Sequence, residues 1–307
     1  MNVSMTEWVI FFIIVAFLLV FDLFVVHRKD ERVSVKNALI QSAGWITIAL
    51  LFGVWVFVQH GSDAAVSYYA AYVIEKAMSI DNLFVFILLF AMFAIPDEYQ
   101  HKALFYGIFG AIIFRAIFIF AGAKLLDSID WMMYIFGLLL VVLAIKTAMD
   151  KKEEDAPIGK WLSKHMKVSE NLDGHHLFTV QNGVKLATPL LICILAIEMT
   201  DIVFAIDSVP ACLAITSETY IVYTSNIFAI LGLRSLYFAL HGCLESLRYM
   251  KYGLAAILLF VGIKMLISDF YEVGVVMSLV VILGILAVTV AASVYVGKKD
   301  KQKANAQ

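Results

Sequence analysis

Long apolar segments restrict the fold of this chain before any other feature. A hydrocarbon core about 30 Å thick is crossed by a helix of about 20 apolar residues. Hydrophobic residues make up 62% of the 307 residues and charged residues 16%, whereas soluble domains are roughly 45–50% apolar. We therefore predict an all-α polytopic membrane protein with a single transmembrane domain over residues 1–307. About nine spans are expected, near 7–27, 38–59, 65–94, 103–126, 129–149, 187–216, 219–242, 249–268 and 273–297.

The distribution of basic residues predicts the orientation. Most of the 23 Lys and Arg residues lie in alternate loops and in the C-terminal tail, and the opposite loops carry none. By the positive-inside rule, the N-terminus should lie outside and the C-terminus in the cytoplasm. The longest cytoplasmic stretch, 150–186, is charged at first, and we expect a solvated linker with one short amphipathic helix around Trp161. The formal net charge of -2 indicates no nucleic-acid partner, and the lipid bilayer is the expected surrounding.

A three-span unit occurs twice. The stretch "MSIDNLFVF" at 78–86 resembles "FAIDSVPAC" at 204–212, and in both copies a second acid precedes the aspartate by six residues. An arginine follows in the next span and a lysine in the span after it. The matched residues are Glu75, Asp81, Arg115 and Lys146 in the first copy, and Asp201, Asp207, Arg234 and Lys264 in the second.

The repeat predicts an inverted architecture. The copies are spans 3–5, about 65–149, and spans 6–8, about 187–268. Because each has an odd number of spans, the second must be inverted relative to the first, which is an arrangement typical of transporters. Spans 3 and 6 exceed the thickness of the hydrocarbon core, and Pro210 removes a helical hydrogen bond. We expect these spans to tilt strongly or to break near the midplane.

The intramembrane charges allow two interpretations. Six acids could pair with five bases as buried ion pairs of structural value alone. Ionisable groups in a membrane are costly, however, and usually mark an ion or substrate pathway. The oxygen donors of Asp, Glu, Asn and Ser suit Mg²⁺, Ca²⁺ or Mn²⁺. Met78 and Met199 would favour a transition metal such as Mn²⁺ if their thioethers were ligands, although both could simply fill the core. The acids are Asp22, Glu75, Asp81, Glu198, Asp201 and Asp207, and the bases are Lys76, Arg115, Lys146, Arg234 and Lys264.

Four stretches resemble the TerC family, and the whole chain is similar to its Alx branch. They are "EKAMSIDNLFVF" (75–86), "EMTDIVFAIDSVPA" (198–211), "SNIFAILGLRSLYF" (225–238) and "KYGLAAILLFVGIKMLI" (251–267). The resemblance implies a multi-spanning protein of the bacterial inner membrane, linked to tellurite resistance, alkaline-pH response and manganese efflux. The family's acidic motif residues fall on Glu75, Asp81 and Asn82, on Glu198, Asp201, Asp207 and Ser208, and on Asp22 in the first span.

The resulting hypothesis is a Mn²⁺ exporter that exchanges the metal for protons, because low dielectric favours the protonated form of a carboxyl group. Mn²⁺ would be the transported ion, with no permanent cofactor and no enzymatic activity. Arg115, Arg234, Lys146 and Lys264 would balance the charge of the empty site.

Two other classes stay open. One is a non-transporting scaffold for stress proteins, or a redox or tellurite-stress modulator. The other, more remote, is an intramembrane aspartyl protease, although Ile80 and Ile206 stand before the aspartates where that class has Tyr or Gly.

Overall fold

A computed structural model of the chain describes residues 3–22, 34–121, 131–149, 168–169, 171–181, 183–244, 249–271 and 273–304. Within these residues the fold is a bundle of helices with one small hairpin. The helices are α1 (Met5–Phe21), α2 (Val35–His60), α3 (Ser62–Met92), α4 (Asp97–Ala121), α5 (Trp131–Ala148), α6 (Pro189–Leu213), α7 (Thr219–Leu231), α8 (Leu233–Leu244), α9 (Met250–Leu266) and α10 (Val275–Ala304). The strands are β1 (Phe178–Gln181) and β2 (Val184–Ala187).

The helices present an apolar outer surface, as a lipid environment requires. Ile13, Leu51 and Val276 are 62%, 62% and 75% exposed, and such side chains in quantity would be a liability in water. Within the described residues, five helical segments are long and apolar enough to cross a membrane. They are Val35–His60, Asp97–Phe120, Pro189–Leu213, Thr219–Cys243, which joins α7 to α8, and Val275–Ser293. The prediction of an all-α membrane protein is confirmed at this level, and the count of nine spans stays a prediction.

Both long helices of the predicted repeat run without a break. α3 has 31 residues and α6 has 25, so of the two alternatives expected for these spans the midplane break is wrong and the strong tilt stays a prediction. Pro210 lies in the last turn of α6, where the loss of one backbone donor interrupts little of the helix. At about 1.5 Å per residue, α3 is longer than the hydrocarbon core is thick and must tilt or project beyond it.

The discontinuity lies instead in the following span, at Gly232 between α7 and α8. A Cβ at this position would stand 3.0 Å from Trp45 Cβ and 3.1 Å from Lys76 Nζ, so the close approach favours glycine. Lys76 Nζ donates a 3.0 Å hydrogen bond to the carbonyl oxygen of Ala229 in the last turn of α7. A cation at a helix C-terminus compensates the carbonyl groups that lack helical partners.

The helices of the two predicted repeat copies pair in a reciprocal pattern. α3, the first helix of the first copy, packs against α7 in the second helix position of the second copy. Conversely, α6 packs against α4. The third helices, α5 and α9, lie along each other, and their backbones meet where a Cβ on Gly262 would stand 2.8 Å from the carbonyl oxygen of Gly137. α2 and α10 pack on the outside of α3.

A β-hairpin precedes α6. β1 and β2 are antiparallel, with Phe178 opposite Ala187, and the hairpin was not anticipated in the predicted linker. Lys102 on α4 donates to the carbonyl oxygen of His175, which connects this segment to the start of α4. The amphipathic helix expected around Trp161 lies outside the described residues.

Candidate functional site

The predicted acidic residues of α3 and α6 meet at a small cavity inside the bundle. Its volume is about 10 Å³, which is room for a single water-sized sphere. Carboxyl, amide and hydroxyl oxygens line it from both helices, while α4 and α9 contribute one cation each. The lining residues are Glu75, Met78, Asp81, Asn82, Arg115, Phe204, Asp207, Ser208, Val261, Lys264 and Met265.

Arg115 on α4 is the centre of the largest polar network at this cavity. Its side chain is fully buried. Its Nη1 donates to Glu75 Oε1, to Asn226 Oδ1 at 2.8 Å and to Ser208 Oγ at 3.3 Å. Its Nη2 donates to Asp201 Oδ1 at 3.4 Å. One guanidinium therefore binds an acid from each predicted repeat copy and ties α4 to α3, α6 and α7.

A second charge pair lies on the α9 side of the cavity. Lys264 Nζ donates to Asp207 Oδ2 at 2.9 Å. Asp81 accepts a 3.2 Å hydrogen bond from Ser278 Oγ of α10. Asp81 and Asp207, the two aspartates that the repeat matches, are thus held by different partners, a hydroxyl group and an ammonium group.

Some acceptor positions at this site are unused. Glu75 Oε2 and Asp201 Oδ2 are buried, and no described residue donates a hydrogen bond to either of them. A buried anionic oxygen without a donor is unfavourable, and an incoming cation would satisfy it. Within the ranges that the structure describes, no group of three or more His, Cys, Asp or Glu side chains is close enough to hold a metal ion. Arg115 and Lys264 hold the carboxylates of Glu75, Asp201 and Asp207 in this structure.

Three of the predicted site residues stand apart from the cavity lining. Asp22 pairs with Arg234, 3.3 Å from Oδ2 to Nη2, and its carbonyl oxygen accepts from the same nitrogen at 3.1 Å. Glu198 faces α4, where a Cβ on Gly110 would overlap its carboxyl group. Asp201 is bound by Arg115, which lines the cavity.

Some of the predicted charge-balancing residues line the cavity and others do not. Arg115 and Lys264 line the cavity, and Arg234 is the partner of Asp22. Lys146 lies near the end of α5 and does not line the cavity. Arg115 and Arg234, which the repeat matches, therefore have different acidic partners, and the charge-balancing role of all four bases stays a prediction.

Two residues at the site were not predicted from the sequence. Asn226 accepts from Arg115, and its Nδ2 donates to the Cys212 sulfur at 3.5 Å. Ser278 holds Asp81. Asn226 lies within a quoted family stretch and is a polar residue in an apolar span, which was the available signal. Ser278 has no such signal, because small hydroxyl residues are common in membrane helices.

Comparison with known proteins places the chain among membrane proteins of bacteria. The model of the "Integral membrane protein TerC family" matches residues 60–301. The "Uncharacterized membrane protein STKORF319" of Myxococcus xanthus is 45% identical over 290 residues, covering 93% of this chain and 91% of that protein. The "Putative membrane-bound redox modulator Alx" of Escherichia coli (strain K12) is 40% identical over 310 residues, covering 96% and 97%.

No solved structure matches the chain. The family match extends from the end of α2 to the last turns of α10 and includes every residue that lines the cavity. The relatives align over nearly the full length of both proteins. The chain therefore belongs to the TerC family of integral membrane proteins.

Proposed function

We propose that this protein exports Mn²⁺ from the bacterial cytoplasm across the inner membrane in exchange for protons. The observation that carries the proposal is the cavity between α3 and α6, which gathers Glu75, Asp81, Asn82, Asp207 and Ser208 in the interior of an apolar bundle. Hard oxygen donors of this kind bind divalent cations of the Mg²⁺, Ca²⁺ and Mn²⁺ type. The choice of manganese among these ions rests on the TerC family resemblance and not on the cavity.

The charges at the site fit a doubly positive substrate. Four carboxylates, those of Glu75, Asp81, Asp201 and Asp207, face two cations, Arg115 and Lys264. If all are ionised, two negative charges are uncompensated. One divalent ion or two protons would neutralise them, which supports an exchange of one for the other.

The helix arrangement supports alternating access. The reciprocal packing of α3 with α7 and of α6 with α4 is what two inverted copies of one unit would give. Rocking of one copy against the other would open the cavity to one side of the membrane at a time. The cavity has room for only about 10 Å³, which is too small for a hydrated ion, so it must widen before an ion can enter. The orientation with the N-terminus outside remains part of the proposal.

The proposal is tested by cellular manganese content. Cells expressing the wild-type protein, Asp81→Asn, Asp207→Asn or Asp63→Asn would be grown in added Mn²⁺ and analysed by mass spectrometry. Asp63 lies on α3 outside the cavity and provides a matched control. Wild type and the control should lower the manganese content relative to empty vector, and the two cavity variants should not. Equal content in all strains would contradict export.

A second candidate is a redox-responsive membrane protein, which the name of the Escherichia coli relative suggests for that relative. The Cys212 thiol contacts Asn226, and Asn226 accepts from Arg115, so oxidation of Cys212 would disturb the cavity network. Replacing Cys212 by Ser separates the two functions. A transporter should retain most of its manganese export, whereas a redox protein should lose its response to oxidants.

A further inference from the structure

Two methionine side chains line the cavity beside the oxygen donors, one from each side. Met78 lies on α3 between Glu75 and Asp81, and Met265 follows Lys264 on α9. They are 9% and 5% exposed. Met199, the other methionine near the acids in sequence, is 40% exposed on α6 and lies outside the cavity lining.

The position of Met265 is fixed by a close helix crossing. α9 and α5 approach so closely that a Cβ on Gly137 would stand 2.9 Å from the carbonyl oxygen of Gly262 and 3.1 Å from Met265 Cβ. Small residues at such a crossing bring two backbones into contact in a membrane. The α9 side of the cavity is lined by Val261, Lys264 and Met265, whose spacings place them on one side of that helix.

Met78 is positioned by its neighbours on α3. Glu75 and Asn82 lie one turn before and one turn after it and line the same cavity. Glu75 is bound by Arg115, and Asp81 by Ser278, so the segment on either side of Met78 is anchored at two points. The Met78 side chain therefore lines the cavity together with the carboxyl groups of Glu75 and Asp81.

We propose that Met78 and Met265 are the specificity-determining residues of the cavity and make it select transition-metal ions over Mg²⁺ and Ca²⁺. The inference rests on the proposed function and adds the class of ion to it. Thioether sulfur is a soft, uncharged ligand that favours the softer Cd²⁺ and Fe²⁺ most and Mn²⁺ less strongly, and that favours the hard ions Mg²⁺ and Ca²⁺ least. Oxygen donors alone would not separate Mn²⁺ from the more abundant hard cations.

The alternative role for these methionines is to fill irregular space next to polar groups. Leucine has nearly the same volume, so Met→Leu preserves packing while it removes the sulfur. A filler role predicts no change in ion preference after this substitution. A ligand role predicts a change in ion preference, whatever rate of transport remains.

The test is a competition experiment in everted membrane vesicles. Mn²⁺ uptake would be measured for wild type, Met78→Leu, Met265→Leu and the double variant, with Mg²⁺, Ca²⁺ or Cd²⁺ as competitor. Met199→Leu is the matched control, because Met199 is a methionine of the same membrane region outside the cavity. In the double variant we expect about a tenfold gain in inhibition by Mg²⁺ relative to wild type, and about a tenfold loss in inhibition by Cd²⁺. The control should match wild type.

Two other outcomes of the competition experiment would each overturn one of the two proposals. An unchanged competition profile in the double variant, with Mn²⁺ transport retained, overturns the selectivity proposal and leaves the proposed function intact. Absence of Mn²⁺ uptake by wild type overturns the proposed function itself.

Binding measurements cover the case in which the double variant assembles poorly. The rise in unfolding temperature caused by Mn²⁺, Cd²⁺ or Mg²⁺ would be measured for the detergent-purified wild type and each single variant. A smaller shift with Cd²⁺ in both single variants supports the proposal. Identical shifts contradict it.

Discussion

Lys264 on α9 donates a 2.9 Å hydrogen bond to Asp207 on α6, so an ammonium group occupies one face of the cavity that a metal ion would need. In the proposed transport cycle the positive charge of this lysine replaces that of the transported ion when the site is empty. It must leave Asp207 each time a cation binds, which makes it a competitor of the transported ion.

Replacing Lys264 by Gln should therefore lower both kinetic constants of transport. Without the competing ammonium, the apparent KM for Mn²⁺ should fall by about tenfold, which is about 1.4 kcal/mol. The maximal rate should also fall, because the empty site would carry an unneutralised carboxylate during its return. Initial rates of Mn²⁺ uptake into everted vesicles measure both constants. A raised KM would show that Lys264 assists binding instead.

Replacing Arg115 by Met should destabilise the fold, because it leaves Glu75 and Asp201 buried without their guanidinium. Removing one partner from a buried pair costs about 3–5 kcal/mol. Adding Asp201→Asn to Arg115→Met should recover part of the stability by removing one buried charge, without restoring transport. Thermal unfolding in detergent and vesicle uptake provide the two readouts. Equal stability of the single and double variants would argue against the network.

Replacing Gly262 by Ala should force α9 away from α5, since the added Cβ would stand 2.8 Å from the carbonyl oxygen of Gly137. Overpacking of this kind costs roughly 1–3 kcal/mol. Gly44→Ala on α2 is the control, because among the described residues no atom beyond the neighbouring turns of its own helix lies within 4 Å of the added Cβ, and it should be neutral or stabilising. Thermal unfolding in detergent compares the pair. Similar effects of the two substitutions would contradict the close crossing.

Replacing Glu198 by Gln should leave the KM for Mn²⁺ within about twofold of wild type, less than about 0.4 kcal/mol. Glu198 faces Gly110 of α4 and does not line the cavity, although its sequence position suggested a metal ligand. Asp81→Asn, made for comparison, removes a cavity oxygen and should raise the KM by more than about tenfold if transport remains measurable. Equal KM values for the two variants would indicate that Glu198 is a ligand after all.

The sequence was informative about the membrane fold and about which acids lie at its centre. Hydropathy predicted the all-α membrane fold, and Glu75, Asp81 and Asp207, which were singled out as intramembrane acids, line one cavity. The inverted repeat that was expected to bring them together stays a prediction. The sequence did not reveal that Arg115 bridges Glu75 and Asp201. The partner of a buried charge depends on how the helices pack, and the spacing of residues along the chain does not determine that packing.

The dependence on packing between remote parts of the chain also explains why the helix discontinuity and one hydroxyl partner were not predicted. The discontinuity at Gly232 lies against Trp45 and Lys76, which are remote in sequence. Pro210 looked like the helix breaker, but at the end of a helix it disrupts little. Ser278 could not be recognised because it approaches Asp81 from α10, outside the repeat.

Export in exchange for protons is decided by flux in everted vesicles with an imposed pH gradient. Vesicles would be prepared from cells that express each variant, and uptake of Mn²⁺ would be followed with the vesicle interior acidic, neutral or alkaline. We predict that an acidic interior drives Mn²⁺ uptake by wild type and by Asp63→Asn, that collapsing the gradient abolishes it, and that Asp81→Asn and Asp207→Asn show none. Mn²⁺ uptake that is unaffected by the gradient, or that persists in both cavity variants, would contradict proton-coupled export through this cavity.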